Sequence, residues 1–326
     1  MSMEKSKLVS TTLIFFVAIA VLALDLWGAK NTGTIEIQSN SIPILYPHAH
    51  HAGDSVMSAA HHVLLRSNIF VFQKDTWVSG ISGVIENAPR MVLHHGELLR
   101  LDKIGKGSSC PTAYGEGEIL NFGQDQMNEP ELHFPSGSAL FIPRLTPVVL
   151  SVMLHNPLPP VGPGGEYRDV KVRVIFHEAT TSPRALTPVA FHLLHLDQKP
   201  CVTTEDGYVF SVPAHSSGSV FKGSSDGQFK PAEYSFDRGG TIVYMGAHLH
   251  GWEGGRELRV YINGSLFKTF TTVKSVDSFG YNTPHFQTAV AVKAGDTISI
   301  DAVYDNPASI PLSGAMGMMG FYFKEN

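Results

Sequence analysis

The segment ELRVYINGSLFKTF, residues 257–270, is the clearest indicator of the fold class. Two runs rich in Val, Ile, Tyr and Phe flank the dipeptide Asn263-Gly264. Residues of these types favour β-strands, and Asn-Gly favours the type I′ turn that joins two strands in a tight hairpin. We therefore predict an antiparallel β-hairpin at this position, and similar strand-like runs occur along most of the chain.

Short strand-like runs, separated by clusters of turn residues, follow one another from about residue 34 onward. Charged residues make up only 16% of the chain, and its 31 Gly and 20 Pro are typical of many turns. We find no long amphipathic helical pattern. The sequence therefore predicts an all-β protein built from two tandem antiparallel β-sandwiches of jelly-roll type.

A weak internal repeat supports two domains of similar build. LSVMLHNP (150–157) and SIDAVYDNP (299–307) are both apolar strands closed by Asn-Pro, about 150 residues apart. The turn-rich stretch HEATTSPRALTP (177–188) lies between them and is the candidate boundary. We predict a first sandwich over residues 67–183 and a second over 184–326.

The N-terminus carries a membrane-targeting pattern. Lys5 and Lys7 precede an apolar run over residues 8–24, which suits either a signal peptide or a short membrane anchor. We predict this segment over residues 1–30 and favour an uncleaved anchor, because no clear cleavage site follows. Residues 31–66 then form a His-rich tether, and the folded domains lie in the periplasm or outside the cell.

Composition excludes some function classes and favours a metal. The net charge of −5 gives no reason to expect a nucleic-acid partner, whereas sixteen histidines suggest a use for imidazole. The two cysteines, Cys110 and Cys201, form no CxxC motif, so zinc-ribbon and thioredoxin chemistry have no support. These cysteines are either bonded to each other or remain two thiols.

In the second half, VYMGAHLHGWEGG (243–255) holds His248 and His250 one residue apart. Alternate residues of a strand face the same way, so this pair is either half of a metal site or two half-exposed strand histidines. The run SGAMGMMGFYF (313–323) offers a thioether, and a thioether beside two imidazoles suits copper. We favour Met316 as the third ligand, with Met318 as the alternative if the strand register shifts.

In the first half, PRMVLHHGELLRL (89–101) places His94 and His95 side by side. Adjacent strand residues face opposite ways, so both reach one metal only if a bulge re-aims one of them. His155, at the end of another strand-like run, completes a candidate three-imidazole site. His61 and His62 are a competing pair for the same role.

The remaining histidines are assigned no ligand role in the folded domains. We interpret those near the membrane as a solvated tether, with loose copper capture as the alternative, and they are His48, His50 and His51. We predict that six others are satisfied or surface residues, and they are His133, His177, His192, His195, His215 and His285.

The order of these motifs resembles the copper type II, ascorbate-dependent monooxygenases, the family of peptidylglycine α-hydroxylating and dopamine β-monooxygenases. The resemblance implies two β-sandwiches with one copper each, or two coppers per chain. It implies an electron-transferring site on His94, His95 and His155. It also implies an oxygen-binding site on His248, His250 and Met316. Dioxygen and an external reductant such as ascorbate would then hydroxylate a C–H bond of a small organic substrate.

Two departures from that family bear on the substrate. Gly246 stands where the peptide-amidating enzymes have an arginine that holds the peptide, and Gly320 stands where they have a tyrosine. Glycine-extended peptides are therefore not the expected substrate. A non-catalytic exported copper-handling protein is the alternative function. A cupin-type iron or manganese enzyme fits less well, because neither Glu253 nor Glu257 has the required spacing from the histidine pair.

Overall fold

The computed structural model describes residues 33–46, 61–103, 118–123, 132–156, 164–196, 210–222, 232–249, 254–272 and 285–326. Regular structure in these ranges is β-strand, apart from short 3-10 turns at Arg90–Val92 and Pro183–Ala185. The predicted all-β class is therefore confirmed. No helix in the described ranges is long and apolar enough to cross a membrane, and the predicted anchor over residues 1–30 lies outside them.

The first half of the chain contains eleven strands in its described parts. They are β1 (Thr34–Gln38), β2 (Ile42–Ile44), β3 (His61–Arg66), β4 (Phe70–Val71), β5 (Thr76–Glu86), β6 (Leu93–Arg100), β7 (Glu118–Gly123), β8 (Leu132–His133), β9 (Ser138–Ile142), β10 (Pro147–Asn156) and β11 (Tyr167–Glu178). One sheet has the order β3-β10-β6-β7, and the facing sheet has the order β1-β11-β5-β9.

The second half contributes the other eleven strands of the described residues. They are β12 (Thr187–His195), β13 (Phe210–Val212), β14 (Ser216–Phe221), β15 (Glu233–Ser235), β16 (Gly240–Leu249), β17 (Gly255–Ile262), β18 (Ser265–Thr271), β19 (His285–Val292), β20 (Thr297–Asn306), β21 (Leu312–Ala315) and β22 (Gly317–Glu325). Its two main sheets have the orders β14-β20-β17-β18 and β12-β22-β16-β19.

The second half repeats the strand arrangement of the first. β14-β20-β17-β18 corresponds to β3-β10-β6-β7, and the short strands β15 and β4 pair with β20 and β10 respectively. β12-β22-β16-β19 corresponds in the same way to β1-β11-β5-β9. Parallel pairing of β9 with β12 joins these two sheets edge to edge into one continuous sheet.

The Asn-Pro repeat found in the sequence has a structural counterpart in the two halves. Asn156 and Asn306 end β10 and β20, and both side chains are buried. Asn156 Nδ2 donates a hydrogen bond to the carbonyl of Leu45, just after β2, at 2.9 Å. Asn306 Nδ2 donates to the carbonyl of Val212, at the end of β13, at 3.2 Å. In each half the amide ties the end of a central strand to a short edge segment.

The first sandwich begins well before the predicted residue 67. β1 and β2 both pair with β11, and β3 pairs with β10, so parts of the predicted tether over residues 31–66 are strands of this sandwich. These strands are short and lack a continuous apolar run, so they resemble linker in the sequence. The chain passes into the second half between β11 and β12, inside the stretch 177–188.

Strands β12, β22 and β16 are covered on both faces. Met319 and Ala247 point into the core of the second sandwich. Tyr322 and Tyr244, on the opposite face, belong to the core of the first half. The Tyr322 hydroxyl donates a hydrogen bond to the carbonyl of Ile119 in β7, at 3.3 Å. The two sandwiches therefore pack against each other along one face of these three strands.

The predicted hairpin is present between β17 and β18. Asn263 and Gly264 have φ values of 50° and 75°, which is the combination that a type I′ turn requires. Asn263 also accepts a hydrogen bond from the backbone N–H of Thr297 through Oδ1, at 2.9 Å. The turn is thus fixed to the neighbouring strand β20 as well as by its own backbone.

Alanine at Gly264 and at Gly254 should have very different effects on stability. Both glycines have positive φ, 75° and 82°, so either alanine incurs roughly 1–2 kcal/mol of left-handed backbone strain. A Cβ at Gly264 would meet open space, whereas one at Gly254 would collide with the backbone carbonyl of Asp305. We expect Gly264→Ala to stay folded and Gly254→Ala to unfold at much lower urea concentration; equal midpoints would contradict this.

Candidate metal centre

Strand β6 contains a β-bulge at His94. His95 lies opposite Met153, whereas Leu93 lies opposite Leu154, so the pairing with β10 skips His94. An extra residue of this kind bends the strand and re-aims its side chains. The ring centres of His94 and His95 are 4.7 Å apart as a result. The bulge that the sequence argument required is confirmed.

His155 on β10 completes the first-half group of imidazoles. Its ring stacks on that of His94, with centres 5.0 Å apart and planes 10° from parallel. His94 Nδ1 also lies 3.2 Å from the sulfur of Met153. His94 and His155 are each only 1% exposed. The structure therefore brings together the three histidines that the sequence assigned to one site.

His248 comes from the second half but lies against this group. Its ring centre is 5.4 Å from that of His94 and 6.3 Å from that of His95. The sequence analysis had assigned His248 to a separate site within the second sandwich. The structure places it at the interface instead, because its face of β16 packs on the first half. Its expected partner His250 lies outside the described residues.

The thioether beside His248 in the sheet is that of Met318. Met318 on β22 is the direct Cα partner of His248 on β16, and directly paired strand residues project from the same face. Met316, which the sequence favoured, lies just before β22 begins and is also buried. Its carbonyl accepts a hydrogen bond from the Tyr304 hydroxyl at 2.5 Å. The register thus corresponds to the alternative that the sequence left open.

His195 is the site residue that the sequence analysis missed. It ends β12 and is the Cα partner of Met318 on the side opposite His248. Burial, and to a smaller extent the charge of His95, lower the pKa of His195 to about 3. His195 therefore belongs to the same cluster of imidazoles. Alternation along FHLLH predicts which face of the strand His195 lies on. Only the tertiary structure shows that the first sandwich packs against this face.

The interface histidine cluster, as we name it, consists of the following residues: His94, His95, His155, His195 and His248. Metal–nitrogen bonds of about 2 Å place two imidazole centres on one metal about 5 Å apart, close to the separations within this cluster. Buried ring nitrogens include Nδ1 of His95 and of His195 and Nε2 of His248. The spacing between neighbouring rings of His94, His95, His155 and His248 therefore suits imidazoles that share a metal.

The orientation of the rings differs from that of a closed metal site. Within the described residues, no three His, Cys, Asp or Glu side chains direct their ligand atoms at one metal position. Binding therefore requires rotation of the rings about their side-chain torsions. One carboxylate lies nearby, with Glu97 Oε1 3.9 Å from His95 Nε2. Imidazole nitrogens and thioether sulfurs otherwise dominate this donor set, and such a set suits copper.

Two histidines outside the cluster have clear structural roles. His192 stacks on Phe321, with centres 5.1 Å apart, and contacts the ring of Tyr234 at 4.4 Å. His177 Nε2 lies 3.1 Å from the hydroxyl of Ser82 on the neighbouring strand. Both rings thus have partners in the fold, as expected of the satisfied residues that the sequence analysis predicted. The described residues include neither cysteine, nor His48, His50 or His51.

No protein-family model matches this chain, and no curated protein matches it. A peptide-N(4)-(N-acetyl-β-D-glucosaminyl) asparagine amidase structure is 12% identical, with 90% of this chain and 96% of that chain covered and a TM-score of 0.39. PNGase F from Flavobacterium meningosepticum is 13% identical, with 90% and 96% covered and a TM-score of 0.37. The capsid protein P2 of bacteriophage PM2 is 9% identical, with 90% and 97% covered and a TM-score of 0.30. At these values the likeness carries no argument about function.

His192 should make the protein less stable in acid. Burial lowers its pKa to about 4, against a weaker opposing effect of Glu325, so the ring is neutral in the folded state. The unfolded chain binds a proton below its pKa of about 6.5, so stability falls as the pH drops from that value towards 4. Acidification from about pH 7 to 4.5 should cost the folded state roughly 2–3 kcal/mol through this residue.

Urea unfolding at both pH values measures this loss. His192→Phe should show a smaller loss on acidification than the unchanged protein. The same substitution at the exposed residue His133 is the matched control and should keep the full pH dependence. An unchanged pH dependence in His192→Phe would refute the assignment.

Proposed function

We propose that this chain is an exported copper-dependent monooxygenase that hydroxylates a C–H bond of a small organic substrate. The observation that supports this proposal most strongly is the convergence of buried and half-buried imidazoles from both sandwiches. His94 and His155 come from the first half, and His248 meets them from the second. The order of these residues in the chain is also the order that resembles the ascorbate-dependent copper enzymes.

The chemistry of the donors favours copper over zinc or iron. Imidazole binds both oxidation states of copper, and a thioether favours Cu(I), whereas zinc and non-haem iron sites usually include carboxylate or thiolate ligands. Sulfur is supplied here by Met153, beside His94, and by Met318, opposite His248. Copper bound at this cluster would supply one-electron redox chemistry and activation of dioxygen.

The protein contributes neutral ligands in a dry setting. A histidine binds a metal through an unprotonated nitrogen, so a lowered pKa keeps it available as a ligand. Burial and the charge of His95 lower the pKa of His195 to about 3, so this ring stays neutral in mild acid. Both ring nitrogens of His155 are shielded from solvent. The bulge at His94 orients neighbouring imidazoles towards the second sandwich.

The reaction requires an external reductant. A substrate C–H bond is converted to C–OH with one atom of dioxygen, while the other atom leaves as water. Two electrons and two protons balance the second oxygen atom, and ascorbate or a similar small reductant would deliver them. We assign no separate general base among the described side chains.

The surroundings of the cluster bear on the substrate. Gly246 on β16 and Gly320 on β22 are direct partners, next to the level of His248 and Met318. A Cβ at Gly320 would lie 2.8 Å from the ring of Phe191, so this ring occupies the space beside that glycine. An apolar ring in place of polar peptide-binding groups supports a small, mainly apolar substrate.

The alternative function is copper handling without catalysis. The observation that favours it is the same Phe191 ring, because it fills space beside the cluster that a substrate would need. A storage or transfer protein would bind copper in the cluster but would not reduce dioxygen with an added reductant. The two functions therefore differ in a single measurable activity.

Copper content and oxygen uptake together test the proposal. We expect about two copper ions on the full chain and about one on His94→Ala and on His248→Ala, because each change removes one ligand of one ion. Ascorbate-dependent oxygen uptake should be at least tenfold slower in both variants. The exposed histidine variant His133→Ala is the control and should keep both its copper and its activity.

Two results would overturn the monooxygenase proposal. The first is a parent protein that binds no copper, or copper content unaffected by either cluster variant. The second is copper bound in full but without any reductant-dependent oxygen uptake across a panel of small apolar substrates. The second result would establish the copper-handling alternative.

A further inference from the structure

Three adjacent strands place one thioether between two imidazoles, with one imidazole on each side. Met318 in the middle strand β22 is the Cα partner of His195 on β12 and of His248 on β16. Direct partners in neighbouring strands project from the same face of a sheet. We call this row, His195, Met318 and His248, the His–Met–His ladder.

The ladder lies against the first sandwich, with its two histidines half-buried. Met318 is only 3% exposed, and buried nitrogens on its two sides are Nδ1 of His195 and Nε2 of His248. The ring of His248 contacts that of His94 at 5.4 Å, and the charge of His95 acts on His195. Polar nitrogens and a sulfur are thus concentrated at a face that is otherwise lined by aromatic and aliphatic side chains.

We propose that the ladder is a binding site for a soft monovalent metal ion, Cu(I) in the cell, with His195 as a ligand. This proposal rests on the proposed function only for the identity of the metal. It assigns a ligand role to His195, a residue outside the sequence pair His248 and His250. It also makes Met318, and not Met316, the sulfur donor.

Strand spacing makes the ladder a suitable size. Neighbouring strands lie about 4.8 Å apart, so the Cα atoms of His195 and His248 are roughly 10 Å apart, with Met318 midway. An imidazole holds a metal roughly 5 Å from its own Cα through Nδ1 and roughly 6 Å through Nε2, so His195 and His248 can reach one ion beside the central sulfur. Two nitrogens and one thioether form a donor set that suits Cu(I).

The two neighbouring methionines are poorly placed for this role. Met319 projects from the other face of β22 into the second core. Met316 precedes the strand, two residues from Met318, and two residues of extended chain span about 6.6 Å. They are therefore matched controls for Met318, because all three methionines are buried and differ mainly in position.

Titration of the full chain with Ag(I), a soft monovalent ion that undergoes no redox change here, tests the ladder. Native mass spectrometry would count the bound ions in the parent and in Met318→Leu, Met319→Leu and Met316→Leu. Methionine and leucine have similar volumes, so the folds should survive. We expect Met318→Leu to bind Ag(I) at least tenfold more weakly at one site, and both controls to bind it like the parent.

His195→Gln provides an independent test if Met318→Leu proves unstable. It should weaken the same Ag(I) site by a similar factor, and the double variant should show little further loss. The copper–sulfur contribution to the X-ray absorption spectrum of the Cu(I) protein should also fall in Met318→Leu, whereas any contribution from Met153 beside His94 should remain. Loss of the site in Met316→Leu with retention in Met318→Leu would overturn the assignment. Unchanged binding in His195→Gln would also overturn it.

The ladder and the proposed function fail in different ways. Ag(I) binding that depends on Met318 and His195, without ascorbate-dependent oxygen uptake, supports the ladder and removes the monooxygenase. Oxygen uptake that persists while neither variant alters Ag(I) binding removes the ladder and leaves the monooxygenase in place.

Discussion

Packing on both faces of β12, β22 and β16 is the constraint on which the site depends. Alternate residues of β22 enter two different environments, with Met319 in the second core and Tyr322 against the first sandwich. Water has little access to either face, so a polar side chain there loses part of its hydration, which must be replaced. Imidazoles gathered on such a face are costly unless they bind one another or a ligand. The cluster is therefore best understood as a property of the interface rather than of either sandwich.

The bulge in β6 makes this arrangement compatible with a normal core. Leu93 and Leu98 are both fully buried in the first core, although their spacing of five residues would place them on opposite faces of a regular strand. One extra residue at His94 restores the register, since Leu93 pairs with Leu154 and Leu98 with Leu150. The same irregularity turns neighbouring imidazoles to one side. Core packing and the placement of the candidate ligands therefore depend on the same β-bulge.

The sequence predicted the strand class, the hairpin and the need for a bulge, because these depend on local patterns. Asn263-Gly264 specifies its turn by backbone preference alone, and adjacent histidines can share a side only through a bulge. The position of His248 could not be predicted in this way. Alternation shows that it shares a face with His250, but not that this face meets the other sandwich. Tertiary packing decides that point.

His195 and Met318 depend on register, which a single sequence does not contain. Met316 and Met318 have the same alternation along the chain, so either could lie beside His248 until the pairing of β22 is known. His195 comes from the opposite neighbouring strand, more than fifty residues earlier in the chain than His248. Non-local pairing of this kind brings donors together that show no common motif.

Comparison of the two halves shows why the imidazoles lie where they do. The residue before the buried Asn is His155 in β10 and Asp305 in β20, at equivalent positions of the repeated fold. His155 is buried and stacks on His94, which in turn contacts His248 of the second sandwich. Asp305 is paired with Arg256 on a solvent-accessible face. Burial of this face in only one half therefore distinguishes a charged surface from a candidate metal centre.

Access to water determines whether a charged or a neutral side chain is favourable at each of these two equivalent positions. On the exposed face of the second half, a charge remains hydrated. There the hydrogen bond from the backbone N–H of Gly218, followed in size by that from Arg256, lowers the pKa of Asp305. On the covered face of the first half, a charge would be poorly hydrated, so a neutral imidazole is the donor that burial tolerates. Neutral nitrogen and sulfur donors in a dry interface bind a soft metal well. In this duplicated fold, the candidate metal centre therefore lies only where one copy packs on the other.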